Sequence, residues 1–474
     1  MARTLTNRGF RGPVLTLLSG SGLALALGYA ADLVLTRFYT PTDYELFAVF
    51  TYLFLPLNAI GALRYEDALM LPDSDDGAKP LLGLSVYLIS VLTLIIGLAV
   101  WGFADHLEAY YNLPGLEVWL WLLPVVFLLE RLRKLCELWL TRRSRFRLTS
   151  TAHVTQTLTN KSIAVGLGVP SIKAGPFGLF IGFTLARVAA LTVLTRSLRP
   201  WPIHWPSWQQ ARRLLRRYQR FPLFSCPSAL INTGLVALPG LLLGGLFEGE
   251  FIAHYQRVFL TIAVPLGIIG GAVGQVFFVR AAESNREGAL APLTQTIHGR
   301  LVALGLFPTL AVVIAGPDLF AFVFSEPWRP AGEFARVLAP WLFLASVASP
   351  LTRLFDVLER QRLDLASSVV MLVVIGSGLS AVYFTDDTMM VLLALGMTGL
   401  LARVLHLGVM FAIAGVGFLR GIQPYLIYGL CALPGLGLIA WAATSSAPIW
   451  TFTAALFGLV CYGVLALYHE RRQT

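Results

Sequence analysis

The chain has 474 residues, of which 56% are hydrophobic and only 13% are charged, and its mean hydropathy is +0.71. Soluble domains carry about 25% charged residues, so this chain lacks the polar surface that a soluble globule of its size needs, and that class is excluded. Segments of about 20 apolar residues recur along the chain, which is the length that a helix needs to cross a hydrocarbon layer of about 30 Å. The short alternating segments of a membrane β-barrel are not its pattern. We predict an all-α integral membrane protein.

Hydropathy predicts about fourteen transmembrane helices. In chain order they cover residues 13–36, 43–63, 81–103, 116–140, 151–169, 176–196, 221–246, 252–279, 296–317, 333–356, 365–384, 388–415, 424–444 and 447–468. The first segment follows three arginines, as the core of a signal peptide does, but it is too long for one. We interpret it as a retained membrane helix.

The positions of arginine and lysine support this map, since cytoplasmic loops are enriched in both. With a cytoplasmic N-terminus, 25 of the 36 lie in cytoplasmic segments and three lie in outward segments, while eight lie within the predicted helices. A missed or invented helix would invert every later loop and destroy this asymmetry. We therefore expect both termini on the cytoplasmic side of a bacterial inner membrane.

A basic stretch between the sixth and seventh predicted helices divides the chain. It contains seven arginines interleaved with tryptophans and prolines, and four of the arginines recur at helical spacing. This pattern predicts an amphipathic helix on anionic lipid rather than a nucleic-acid site. The predicted domains are an N-terminal six-helix lobe, this linker, a C-terminal six-helix lobe and two additional helices, covering residues 1–196, 197–220, 221–415 and 416–474. Two six-helix lobes would share one orientation, with the substrate between them in a central cavity.

Charged residues inside the predicted helices require a reason, because an arginine at the bilayer centre costs about 2.5–3.5 kcal/mol on insertion scales. Four cations lie within spans, and we interpret them as the lining of a water-filled cavity for an anion: Lys161, Arg187, Arg257 and Arg403. Three others lie near helix ends, and there a structural role, paired or reaching for the interface, is favoured: Arg133, Lys134 and Arg336. Because Glu130 and Arg131 are adjacent, any pairing of either must reach another helix.

Enzyme and cofactor motifs are missing from the sequence. No glycine-rich phosphate loop is present, so ATP hydrolysis by this chain is excluded. The seven histidines and four cysteines are dispersed without metal-ligand spacing, and we predict no metal and no cofactor. The cysteines are interpreted as small buried apolar residues.

Two helix ends resemble a known family. Residues 35–47 (LTRFYTPTDYELF) and 63–72 (LRYEDALMLP) are similar to the "TRLYTPEDFGLF … LRYExAIxLP" pattern of bacterial Wzx-type polysaccharide flippases. Residues 145–147 (RFR), 221–224 (FPLF) and 274–281 (GQVFFVRA) are similar to further pieces. Glu45 departs from the usual glycine of the family. Those flippases belong to the multidrug, oligosaccharidyl-lipid and polysaccharide exporter superfamily.

The resemblance implies two six-helix lobes around a V-shaped cavity, plus two C-terminal helices. It also implies transfer of undecaprenyl-diphosphate-linked glycans from the cytoplasmic to the periplasmic leaflet by alternating access, with a lipid-linked glycan, membrane lipids and other polysaccharide-assembly proteins as partners. Arginine suits a diphosphate because its guanidinium can bond in a bidentate manner. We expect Arg64 to meet the diphosphate and Glu66 to hold it in place, although a helix-end pair is an equal alternative. Asp32 and Glu130 are the acidic candidates for ion coupling.

Two alternatives remain open. A cation-coupled drug exporter of the related antiporter family would need acids within the membrane and no nearby cations, which is the reverse of this chain. A membrane-embedded glycan polymerase or ligase would need a large periplasmic loop, and none is predicted. We expect a transporter and not an enzyme.

Overall fold

A computed structural model describes residues 27–72, 74–143, 145–169, 171–172, 175–198, 203–247, 250–358, 360–444 and 447–471. Every regular element in these ranges is helical. The chain divides into two compact units, Met1–Ile252 and Ala253–Thr474. The boundary between these two units, at residues 252 and 253, lies after the predicted linker at residues 197–220. The predicted arrangement of two six-helix lobes and two additional C-terminal helices therefore stays a prediction.

The first unit consists of nine described helices. They are α1 (residues 27–38), α2 (Pro41–Ile60), α3 (Asp75–Tyr111), α4 (Leu116–Leu120), α5 (Leu122–Arg142), α6 (Phe146–Gly168), α7 (Phe177–Arg196), α8 (Trp208–Arg217) and α9 (Cys226–Gly244). A 3₁₀ turn over Tyr65–Met70 follows α2, and a π-helical turn over Phe221–Ser225 precedes α9.

The second unit begins within α10. Its helices are α10 (Phe251–Val258), α11 (Val264–Arg286), α12 (Leu290–Phe324), α13 (Arg329–Leu351), α14 (Arg353–Val357), α15 (Gln361–Leu379), α16 (Thr388–Ala414), α17 (Phe418–Ala442) and α18 (Pro448–Arg471). A π-helical turn over Phe259–Ala263 joins α10 to α11.

Helix ends follow local sequence chemistry. At the start of α2, Thr40 and Asp43 form a reciprocal capping box and Pro41 occupies the first turn, where its missing N–H costs nothing. The α3 helix begins at the cap residue Ser74 and ends at Asn112, which adopts a left-handed conformation. Such caps satisfy backbone groups that the helix itself leaves unpaired.

Aromatic side chains join α2 to α7 in the first unit. The rings of Phe47 and Phe50 stand edge-on to Phe180 at 5.3 and 5.2 Å, and Phe54 meets Phe183 at 6.0 Å. Edge-to-face pairs of this kind each add about 0.5–1.5 kcal/mol beyond burial. They fix α7, and with it Arg187, against α2.

In the second unit, α12 packs against α13, α17 and α18. Helices α17 and α18 approach closely where Gly435 meets Gly458, because a Cβ atom on Gly435 would lie 2.9 Å from the Cα atom of Gly458. Small residues at such crossings are the usual means of packing membrane helices. The apolar core of the unit includes the fully buried Phe307 beside this crossing.

Within the described residues, a helical element lies on each of the fourteen predicted segments. Among the described residues, eight helices are long and apolar enough to cross a membrane on their own, and the bent pair at residues 221–231 and 233–244 would make a ninth. The prediction of an all-α multi-pass membrane protein is confirmed.

Candidate functional site

Glu130 on α5 lies at the centre of a buried charge network in the first unit. Its carboxylate accepts a bond of 2.6 Å from Arg133 on the same helix and lies 3.1 Å from Nε of Arg187 on α7. The prediction that any pairing of Glu130 must reach another helix is wrong for Arg133, because residues three apart on a helix are neighbours. Arg133 also reaches Glu137 at 3.0 Å. All the side chains of this network except Glu137 are at least nine-tenths buried, so the two helices are joined by charge inside an apolar bundle.

Arg131, the residue next to Glu130 on α5, forms its ion pair outside this network. Arg131 donates to Glu66 at 3.4 Å, and the other carboxylate oxygen of Glu66 accepts the backbone N–H of Ala62 at 3.0 Å. Both ionic side chains are buried. Glu66 therefore connects α5 to the turn that ends α2.

That turn has unusual backbone geometry. Gly61, Leu63 and Arg64 all have positive φ angles, of 57°, 53° and 65°. A Cβ atom on Gly61 would lie 2.0 Å from a carboxylate oxygen of Glu66, so only glycine fits both the conformation and the space. A non-glycine residue with a positive φ angle costs about 1–3 kcal/mol and persists where surrounding contacts impose this conformation. Here the bonds of Glu66 to Ala62 and Arg131 impose it on Leu63 and Arg64.

Arg64 lies on this turn with its guanidinium partly exposed. Its Nη1 atom forms an ion pair with Asp67 at 3.0 Å, and about a third of each side chain is open. The structure thus brings the predicted pair Arg64 and Glu66 to one turn but gives them different contacts. Glu66 bonds the backbone two residues before Arg64.

Lys161 on α6 pairs with Asp32 on α1 at 2.6 Å. The two side chains keep 22% and 25% of their surface exposed, unlike the buried Glu130 network. The predicted cation and the predicted coupling acid are therefore direct partners. Nearby, Tyr39 donates to the carbonyl of Ala164 at 2.7 Å and holds the start of α2 against α6.

Arg257 on α10 is almost completely buried within the second unit. Its guanidinium carbon lies 4.3 Å from the ring centre of Trp328 and 5.3 Å from that of Phe324. One turn earlier, His254 stands edge-on to Trp328 and Phe334. Aromatic faces stabilise a cation by about 2 kcal/mol when it is desolvated, so this cage holds Arg257 in place.

Arg403 lies on α16 in the second unit. Its Nε atom is buried and forms no hydrogen bond with any residue in the described ranges, and both ring nitrogens of His406, one turn later, are likewise unsatisfied there. The ring of His406 meets Phe355 edge-on at 5.7 Å. Buried polar groups without partners are rare in native proteins and call for an explanation, such as a bound ion or ligand.

The favoured structural role of three other cations agrees with their contacts. Arg133 and Lys134 pair with Glu137, and Arg336 pairs with Glu333 at 3.3 Å. Glu137 was not among the predicted site residues, and it also lies 3.5 Å from Nε2 of His153 on α6. His406 was not among them either, although its spacing from Arg403 puts both on one face of a helix.

No cluster of three or more potential metal ligands occurs among the described residues. All four cysteines are free thiols; Cys136 and Cys226 are buried as predicted, whereas Cys431 and Cys461 are only partly buried. The charged groups are ion pairs, an aromatic cage and unsatisfied donors. Such groups can bind and exchange an anion.

A family model described as "Polysaccharide biosynthesis protein" matches residues 34–333, which is more than half of the chain. The chain belongs to this family. The match includes the turn with Arg64 and Glu66, the Glu130 network, the Lys161 pair except its Asp32 partner, and the Arg257 cage. A search of curated proteins found no match.

Comparison with solved structures identifies the fold of this chain. It is similar to a lipid II flippase, MurJ, in an inward closed conformation, at 11% identity and a TM-score of 0.76, with 97% of this chain and 99% of that chain covered. An inward-facing multidrug resistance MATE transporter of the MOP superfamily has 15% identity, a TM-score of 0.64 and coverage of 84% and 98%. A MATE transporter from Vibrio cholerae has 12% identity, a TM-score of 0.57 and coverage of 86% and 97%. The protein therefore has a flippase- and transporter-type fold, and these relatives in structure are not enzymes.

Proposed function

We propose that this polysaccharide biosynthesis protein is a flippase. It transfers an undecaprenyl-diphosphate-linked oligosaccharide from the cytoplasmic to the periplasmic leaflet of the bacterial inner membrane by alternating access. The observation that carries the proposal is membership of a polysaccharide biosynthesis family on a fold that a lipid II flippase shares over 97% of this chain. The product supports assembly of cell-surface or secreted polysaccharide, together with other polysaccharide-assembly proteins.

Arg64 is the proposed first contact of the diphosphate. Its guanidinium is partly exposed and pairs with the partly exposed carboxylate of Asp67. A diphosphate offers more charge and a better bidentate geometry than a single exposed carboxylate, so it competes well for Arg64. Glu66 acts on this step indirectly, because its bond to Ala62 fixes the turn that presents Arg64.

Lys161 and Asp32 form the proposed coupling pair. Their 2.6 Å contact keeps the lysine charge occupied, and their partial exposure leaves the pair reachable by water. Protonation of Asp32 would remove its charge and release Lys161 to bind the phosphate. Loss of that proton would restore the pair and displace the substrate.

Arg187, Arg257 and Arg403 complete the proposed set of anion-binding cations. Arg403 has unsatisfied donor capacity, whereas Arg187 has Glu130 as its partner, so Arg187 binds substrate only if that pair opens. Glu130 would then be a second coupling acid. Outward movement of each negative charge across an inside-negative membrane is favourable by about 2.3 kcal/mol per 100 mV, which assists export of a diphosphate.

A cation-coupled exporter of the MATE type is the second candidate. It is supported by the similarity to MATE transporters, whose structures cover 84–86% of this chain. The flippase fold accounts for more of the chain, and the buried cations listed above suit an anion better than a cation. A glycan polymerase or ligase has no supporting observation in the described residues.

Complementation of a flippase-deficient strain tests the proposal, scored by lipid-linked glycan that accumulates on the cytoplasmic leaflet. We expect the wild-type chain to clear the glycan and Arg64→Ala to fail. Arg353→Ala is a matched control, since Arg353 also pairs with an aspartate three residues later, at 3.2 Å. Normal export by Arg64→Ala would remove the entry role. Unchanged flipping after combined neutralisation of Lys161, Arg187 and Arg257 would contradict the anion-binding set.

A further inference from the structure

The short helix α8 presents two different arginine stripes. The helix contacts α3 within the first unit. Ala211 is buried on its inner face, and Tyr218, the residue directly after the helix, is buried as well. Residues four apart lie on the same side of a helix, so Trp208, Arg212 and Arg216 form one exposed line, and Arg213 and Arg217 form another. We call the first line the Trp208 stripe.

The two stripes differ in their contacts. Arg213 donates to the carbonyl of Gln209 at 3.4 Å, and the guanidinium of Arg217 lies 5.4 Å from the ring centre of Tyr218. Both Arg212 and Arg216 are exposed, and neither takes part in a hydrogen bond or ion pair among the residues that the structure describes. Their charges are therefore available to an external anion.

The surroundings of the Trp208 stripe suit a membrane surface. Trp208 is 76% exposed and Trp205 is 62% exposed, next to the arginines. Tryptophan favours the level of the lipid headgroups. No aspartate or glutamate occurs in the sequence between Glu137 and Glu248, so α8 and the segments that flank it contain no carboxylate to pair with these guanidinium groups.

We propose that the Trp208 stripe binds the phosphates of anionic phospholipids in the cytoplasmic leaflet. Tryptophan side chains enter the headgroup layer, and Arg212 and Arg216 bond the phosphates there. The second stripe, Arg213 and Arg217, lies about 100° further round the helix and outside this contact. The result is a defined lipid-binding edge and not a general attraction of a basic helix.

The same contact reaches the turn that carries Arg64. The hydroxyl of Tyr65 donates to the carbonyl of Leu215 at 3.1 Å, so α8 is bonded to the residue next to Arg64. Ahead of α8, the carbonyl of His204 lies so close to Gly83 on α3 that a Cβ atom there would be 2.3 Å from it. Headgroup binding thereby holds the Arg64 turn at a constant depth. This last link rests on the proposed function, whereas the lipid contact does not.

The test uses the full chain in nanodiscs of phosphatidylcholine, with or without phosphatidylglycerol. The native cysteines are replaced by alanine, a fluorophore is attached at Gln209→Cys, and quenching by a headgroup nitroxide reports proximity to lipid. We expect quenching to rise with phosphatidylglycerol and to fall with salt. Selectivity for phosphatidylglycerol should drop about fivefold for each arginine removed from the Trp208 stripe.

Two matched variants decide the outcome. Arg212→Gln with Arg216→Gln should lose the selectivity, whereas Arg213→Gln with Arg217→Gln, the same charge change on the same helix, should retain it. Arg212→Lys with Arg216→Lys should retain most of it, which shows that a loss is not a folding defect. Equal losses in both glutamine variants would overturn the proposal, as would equal quenching in the two lipid mixtures or displacement by inorganic pyrophosphate.

A flipping assay in the same nanodiscs tests the link to the Arg64 turn separately from the lipid contact itself. Loss of flipping together with lipid selectivity in the Arg212 and Arg216 glutamine variant supports the link to Arg64. Normal flipping without lipid selectivity overturns that link. Absence of flipping in the wild-type chain would contradict the proposed function and leave the lipid contact standing.

Discussion

Replacement of Glu130 by glutamine probes the buried network that joins α5 to α7. The change keeps the size of the side chain and removes the charge that Arg133 and Arg187 share, at 2.6 and 3.1 Å. Removal of one partner of a buried ion pair costs about 3–5 kcal/mol, because the other charge stays buried without compensation. The size of the loss therefore measures how far Arg187 depends on Glu130.

The remaining contacts moderate this cost. Arg187 keeps the carbonyl of Phe183 at 2.7 Å and lies 3.4 Å from the centre of the Phe183 ring. Arg133 keeps Glu137 at 3.0 Å. A hydrogen bond to a charged group contributes about 1.5–3 kcal/mol, and a desolvated cation–π contact contributes about 2 kcal/mol. We expect a loss near the lower end of the range, about 3 kcal/mol in free energy of unfolding.

Detergent titration of the purified protein in mixed micelles measures this free energy for Glu130→Gln, Arg187→Gln and the double variant. We expect a coupling energy of at least about 1 kcal/mol, within the range found for residues in contact. Glu333→Gln is the control, since its pair with Arg336 is 43–45% exposed and should change stability by less than about 1 kcal/mol. Coupling below about 0.5 kcal/mol would refute the reasoning. Abolished flipping by a fully stable Arg187→Gln would instead favour substrate binding.

Three further outcomes are expected. Gly61→Ala should destabilise the protein by about 1–3 kcal/mol and reduce complementation, because its Cβ atom would lie 2.0 Å from a carboxylate oxygen of Glu66. Wild-type stability and export in this variant would contradict the prediction. Asp32→Asn should retain stability within about 1 kcal/mol, because its pair with Lys161 is partly exposed, and should weaken the dependence of flipping on a proton gradient; an unaltered gradient dependence would remove Asp32 from coupling. Gly435→Ala should lower thermal stability, because its Cβ atom would lie 2.7 Å from the ring of Phe307, whereas Gly437→Ala, with open space around it, should not.

Hydropathy alone determined the helices, since the bilayer demands long apolar segments whatever the tertiary packing. Helix bounds were less predictable from it. The third predicted span covers residues 81–103, whereas α3 covers Asp75–Tyr111, from the cap at Ser74 to the left-handed Asn112. Helices continue beyond the hydrocarbon layer until a cap ends them, and hydropathy does not detect caps. The predicted span 252–279 likewise contains a π-helical turn, which its apolar composition does not reveal.

The charges inside the membrane were visible in the sequence, but their partners were not. An excess of cations within the predicted helices indicated an anion site, and the expectation that Glu130 or Arg131 pairs across helices came from their adjacency on one helix. Only tertiary structure decided that Arg187 meets Glu130, that Lys161 meets Asp32 and that Glu66 meets Arg131. The two residues of each pair are far apart in the sequence, and the shortest separation, between Glu130 and Arg187, is 57 positions. Ion pairing depends on distances of a few ångströms between helices, and these distances are set by how side chains pack along the helix faces and not by any local pattern of residues.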